Sequence, residues 1–183
     1  MMTQRNAPVA LIAALFALGA AMPFVLKPYH LNMLTEIILF ALYAVSYNLL
    51  LGYAGLLSFG HAMFFGMGAF TVAVSLIHIP GLSIWSAIGL ALAMTTAVGF
   101  VTGGLLLRHK GSYFALLTLA FNSLFYAVAT KWHTITGGDD GLSVTRPDLA
   151  LGFTTVSLAG IESFYAFTLV IVGAAIAFCW YFT

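Results

Sequence analysis

"GYAGLLSFGHAMFFGMGAF", residues 52–70, carries five glycines within seventeen positions and no charged group. It lies inside a 71-residue run, Ile37 to Leu107, without one Lys, Arg, Asp or Glu. As a single helix that run would measure roughly 106 Å at about 1.5 Å per residue. A hydrocarbon core is about 30 Å thick, so the run must hold about three crossings. Its turns fall at Gly52–Gly60 and Pro80–Ser83, where helix-weakening residues gather.

The rest of the chain agrees with a membrane solvent. Charged residues are 6% of the 183 and apolar residues 62%, against about 25% charged in ordinary globular proteins. Six basic and five acidic side chains cannot clothe a soluble core of this size. Six apolar blocks of spanning length follow one another, at about 7–26, 34–51, 61–79, 84–107, 112–130 and 162–183. Blocks such as "ILFALYAVSYNLL" do not alternate apolar and polar residues, which favours helices clearly over a β-barrel. The fold class expected is all-α: a polytopic transmembrane helical bundle of about six spanning helices, forming one domain over residues 1–183.

The N-terminus resembles a signal peptide in having Arg5, an apolar stretch and small residues near Ala20. Its apolar stretch, Ala7 to Leu26, is nevertheless long enough to span, and is read as a retained first helix. Between the last two blocks, residues Lys131 to Gly160 read as a polar loop. If all six blocks cross, Arg5, Arg108 and Lys110 lie on one side and Lys27, Lys131 and Arg146 on the other. The positive-inside count is then a tie. The shortness of the 108–111 turn favours placing Arg108 and Lys110 in the cytoplasm.

Two uses of glycine separate here. Little hydrophobic force acts between helices in lipid, so small side chains that allow close backbone approach do much of the packing. Ala62, Gly66, Ala69 and Ala73 form a smooth ridge at helical spacing, and Gly99 and Gly103 make a GxxxG pair. Gly52, Gly55 and Gly60 instead frame "YAGLLSFG". That segment reads either as a short aqueous loop or as a helix break at membrane depth, tolerated where it is buried in protein or lines a cavity. Ser58 and His61, with Asn48 nearby, are the polar side chains that would flank a translocation path there. Asn48 and Asn122 also suit hydrogen bonds to neighbouring helices, while Glu36 and His78 suit the membrane interface.

Several chemistries are missing. The three lysines read "VLKPY", "RHKGS" and "ATKWH", so there is no P-loop to hold ATP phosphates. No HExxH and no GxSxG elbow occurs, and the apolar blocks hold no carboxylate pair. "TGGDDG", residues 136–141, offers two aspartates, too few oxygen ligands for a calcium loop, and reads as a turn. The lone Cys179 excludes a disulfide or thiolate metal site within the chain. No basic patch suits nucleic acid. These residues describe a non-enzymatic membrane protein without metal or cofactor, one that moves a solute or belongs to an assembly that does.

Three segments together resemble a known family. "GYAGLLSFGHAMFFGMGAF" (52–70), "LLLRHKGSYFALLTLAF" (105–121) and "ITGGDDGLSVTRP" (135–147) are similar to the LivM-type permeases, membrane subunits of ABC importers for branched-chain amino acids and related compounds. The resemblance covers roughly residues 30–183. It implies a bacterial inner-membrane, multi-pass permease domain that works with a LivH-type second permease, two cytoplasmic ATPase subunits and a periplasmic solute-binding protein. It places Arg108 and Lys110 in a cytoplasmic turn, and Thr136, Gly137, Gly138, Asp139, Asp140 and Gly141 in a periplasmic loop. His109 stands where the family usually carries a second basic residue before its Gly-Tyr-Phe-Ala. The resemblance also implies a charged ATPase-engaging loop and further helices, so the chain reads as the N-terminal part of such a permease. Two other functions stay open: an ion-coupled carrier or channel, for which the uncharged run supplies no mid-membrane ionisable groups, and a non-transporting remnant.

Overall fold

The computed structural model describes residues 16–108, 111–150 and 155–181. Among them, five helices are long and apolar enough to cross a membrane. They are α1 (Pro28–Asn48), α2 (His61–His78), α3 (Ile84–Leu106), α4 (Ser112–Lys131) and α5 (Ile161–Tyr181). The first expected block is described only from residue 16. Residues 16–21 are helical and run into a 3-10 turn at Met22–Phe24. The chain is thus an all-α helical bundle.

Local chemistry explains the boundaries. Pro28 opens α1, where its missing N–H costs nothing, and the Lys27 carbonyl accepts from the amides of His30 and Leu31. Pro80 follows α2, and Gly81 takes a φ of +77° in the turn to α3. The hydroxyl of Ser83 then caps α3 by accepting from the Trp85 amide at 3.4 Å. Gly111, at φ +64°, precedes α4. Hydroxyls inside the spans bond back to their own helices, as Thr71 does to the Met67 carbonyl and Thr102 to that of Val98, both at 2.7 Å. Each such bond gives a span hydroxyl a partner that lipid cannot supply.

The chain divides into two compact units, residues up to Ser46 with those from Ser157 onward, and residues 47–156. In the first unit, α5 buries Tyr165, Thr168 and Val172, one stripe at helical spacing. The Tyr165 hydroxyl donates to the Gly19 carbonyl at 2.9 Å. Close approach depends on small residues on both helices. A Cβ on Gly19 would stand 3.3 Å from Leu169 Cδ1, and one on Gly173 would run into the Phe16 ring.

In the second unit, α2 and α3 form an antiparallel hairpin. Gly99 faces the Phe64 ring and Gly68 faces the Thr95 methyl, so one turn forward in α2 matches one turn back in α3. Side chains such as Phe100, 84% exposed, project outward from this hairpin. In water that would invite aggregation; in lipid it is the ordinary outer surface.

The expected polar loop after α4 carries structure of its own. A helical turn at His133–Thr136 leads into a 3-10 turn at Gly138–Asp140. Two short strands, β1 (Asp148–Ala150) and β2 (Thr155–Ser157), then pair. Trp85 Nε1 donates to the Ala150 carbonyl at 3.2 Å, tying the start of α3 to β1.

Candidate functional site

The glycine-rich stretch departs from regular helix in stages. After Asn48, α1 widens into a π turn over Leu49–Tyr53, a distortion often found at functional sites. The Ala54 amide donates to the Leu49 carbonyl, and Leu56 N–H reaches back to Leu50 O at 3.2 Å. Gly52 lies beside the Asn48 amide: a Cβ there would stand 3.4 Å from Asn48 Oδ1, an ordinary contact. Gly55 reverses the chain at φ +65°, a conformation that side chains with a Cβ rarely adopt. Residues 53–55 and 57 are exposed, whereas Ser58 and Gly60 are buried. The stretch is therefore neither an unbroken helix nor a loop free in water throughout.

Its buried half docks on α4. The Phe59 amide donates to Thr118 Oγ1 at 3.0 Å, and that hydroxyl in turn donates to the Ala115 carbonyl at 2.8 Å. Ser58 Oγ accepts from the Gly60 amide at 3.2 Å. A Cβ on Gly60 would stand 3.0 Å from the Thr118 carbonyl oxygen and 3.3 Å from its Cβ, so glycine allows the two backbones to meet. Thr118 lies six residues into α4, roughly 9 Å from its start. The Thr118 and Ser58 hydroxyls satisfy two amides of this irregular backbone, as non-helical backbone within a membrane protein requires. Helix α2 then begins at His61, whose ring stacks edge-on against Tyr47 with centroids 5.7 Å apart.

Beyond this contact, side chains of α2 and α4 line a common space. Between them, with α3 and the His133–Thr136 turn, lies an open groove of about 970 Å³. It extends from Ala62 to Ile79 along α2, roughly 25 Å. Its walls are mostly apolar. The hydroxyls of Thr71, Ser75 and Ser123 bond to carbonyls of their own helices, and the Val74 carbonyl accepts from His78 Nδ1 at 3.0 Å. Asn122, one helical turn beyond Thr118, also lines the groove and has no hydrogen-bond partner among the described residues.

The sequence-derived candidates distribute as follows. Asn48 sits with Gly52, Ser58 with Gly60, and His61 with Tyr47; none of Asn48, Ser58 and His61 lines the groove. Ala62 and Gly66 do line it, while Ala69 and Ala73 do not. A Cβ at Gly66 or Gly103 would meet no atom within 4 Å, whereas Gly99 packs on Phe64. Arg108 is exposed just after α3, and Lys110 lies outside the described residues.

At the other loop, Gly137, Gly138 and Gly141 all have φ between +62° and +74°. A Cβ on Gly137 would strike the Gly141 carbonyl, and one on Gly138 the His133 ring. The buried Thr136 hydroxyl donates to the Trp132 carbonyl at 2.9 Å and accepts from the Gly138 amide at 3.3 Å, while Asp139 and Asp140 are exposed. Among the described residues no group of three or more His, Cys, Asp or Glu is arranged to hold a metal. Thr118 is the residue that sequence reasoning missed. A threonine within an apolar span looks like any other back-bonded hydroxyl, and nothing local marks its distant partner.

A family model described as "Branched-chain amino acid transport system / permease component" matches residues 29–183, a range that takes in the glycine-rich stretch, α4 and the Gly-Gly-Asp-Asp turn. The chain belongs to this family of permease components. It is similar to the high-affinity branched-chain amino acid transport system permease protein LivM of Escherichia coli (strain K12), with 32% identity over 139 residues. That match covers 75% of this chain and 32% of the relative. The LivM protein of Salmonella typhimurium (strain LT2) matches with the same identity and coverage. The chain spans about a third of the length of these curated relatives. No solved structure matches it significantly. With five apolar helices of spanning length and this family, it is a multi-pass membrane protein of the permease class.

Proposed function

We propose that the chain serves as a membrane-spanning permease subunit of an ATP-driven, binding-protein-dependent importer of branched-chain amino acids or similar small polar solutes. The family match over residues 29–183 carries this reading. In the proposed assembly a periplasmic protein delivers the solute, a LivH-type subunit completes the path, and two cytoplasmic ATPases drive alternating access. The absence of a P-loop from this sequence fits that division of labour, with hydrolysis in a partner. The membrane is the bacterial inner membrane, with Arg108 and Lys110 at a cytoplasmic turn and residues 136–141 facing the periplasm.

Within the subunit, the glycine-rich segment is the proposed translocation element, flanked by Asn48, Ser58 and His61. Support comes from its irregular backbone docking against α4 some way in from the helix end, since broken helices at depth are a recurring transporter device. Copurification tests the assembly. The tagged full-length subunit, extracted in mild detergent, should carry the ATPase subunits and the second permease with it. Recovery of the subunit without any ATPase under conditions that preserve other importers would count against the proposal.

A further inference from the structure

We propose that Thr118 is a positioning residue for the glycine-rich segment: its hydroxyl latches residues 58–60 onto α4, and solute movement depends on how readily that latch opens. Three observations carry the inference. First, the segment is loosely packed at one end: it follows the π turn over Leu49–Tyr53, and a Cβ at Gly55, where φ is positive, would meet no atom within 4 Å. Second, the other end is held by specific chemistry. Thr118 is 2% exposed, and donating to Ala115 leaves an oxygen lone pair for the Phe59 amide. Third, this contact marks where the groove between α2 and α4 ends. Gly60 and Thr118 touch, whereas Ala62, two residues on, and Gly66 and Asn122, within about two turns, line the groove. Releasing Phe59 from Thr118 therefore frees the segment at the closed end of the groove. The link to solute movement rests on the permease reading; the latch itself does not.

The test places a reporter thiol at Ser58, which is buried, in the full-length subunit with Cys179 and any other cysteine replaced by Ser, and follows its modification by N-ethylmaleimide in membranes. Thr118→Val keeps the shape and removes the hydroxyl, and should speed labelling about fivefold, the factor for one neutral hydrogen bond. Thr118→Ser keeps the hydroxyl and should label at the parental rate. Gly60→Ala, which pushes the segment off Thr118, should also label faster, and it serves as the second probe if Thr118→Val does not accumulate. Parental labelling rates in both Thr118→Val and Gly60→Ala would overturn the latch. Equally fast labelling of Thr118→Ser and Thr118→Val would overturn the assignment to the hydroxyl. On the parental sequence without the reporter, Thr118→Val should change the maximal uptake rate and Thr118→Ser restore it; unchanged uptake despite faster labelling would overturn the functional half alone. Labelling needs no transported solute, so failure of the permease reading would appear separately, as absent uptake in the parent.

Discussion

The amide of Phe59 and the hydroxyl of Thr118 lie 3.0 Å apart although 59 residues separate them in sequence. That bond, with the backbone contact between Gly60 and Thr118 beside it, joins the irregular segment to a regular helix. It satisfies the amide of a residue outside regular helix, and it fixes where α2 starts relative to α4.

Gly60 should tolerate little. Gly60→Ala places a methyl 3.0 Å from the Thr118 carbonyl oxygen, tighter than ordinary contact. Overpacking of this kind costs about 1–3 kcal/mol. A lower thermal midpoint for the detergent-purified protein is expected, and Gly60→Leu should prevent accumulation. An unchanged midpoint for Gly60→Ala would mean that the contact is slack.

Gly55→Leu and Gly66→Leu should both abolish uptake, for different reasons. At Gly55 the φ of +65° strains a side chain, by about 1–2 kcal/mol. At Gly66 no atom lies within 4 Å of a Cβ, so leucine fits within the chain and the protein should accumulate normally. Its side chain would instead occupy the groove. Uptake that survives both substitutions would remove the groove and the segment from the transport path.

Tyr165→Phe tests the packing of the first unit. It removes the donor to the Gly19 carbonyl while keeping the ring, and should cost about 1 kcal/mol. Tyr165→Ala, which also empties a fully buried site, should cost about 3–5 kcal/mol. Thermal unfolding in detergent separates the two. Equal effects would assign the stabilisation to the hydrogen bond rather than to the ring.

Topology follows from the proposed orientation. Reporter fusions at position 109 should be active only as cytoplasmic reporters, and those at 139 only as periplasmic ones. The reverse pattern would invert the membrane orientation without altering the fold.

The sequence showed the solvent and the helices plainly, because a 71-residue run without charge permits few alternatives. It also marked Gly52, Gly55 and Gly60 as different in kind from ridge glycines such as Gly66. What it left open depends on register. Whether Gly66 or Gly68 meets α3 is decided by the alignment of Phe64 with Gly99 and Gly68 with Thr95, which local spacing does not specify. Thr118 was hidden for the same reason: its partner is remote, and its back-bond to Ala115 is what any span threonine makes. The strands β1 and β2 are three residues each, too short for alternation to rise above the polar background.

The most direct test of the account is uptake of radiolabelled leucine, isoleucine and valine by cells that lack their own permease of this class and express the full-length subunit with its proposed partners. Uptake of at least one of these amino acids is expected, abolished when either the binding protein is omitted or the ATPase subunits are inactivated. Uptake that proceeds without both and follows the proton or sodium gradient would contradict it, and would make the protein an ion-coupled carrier.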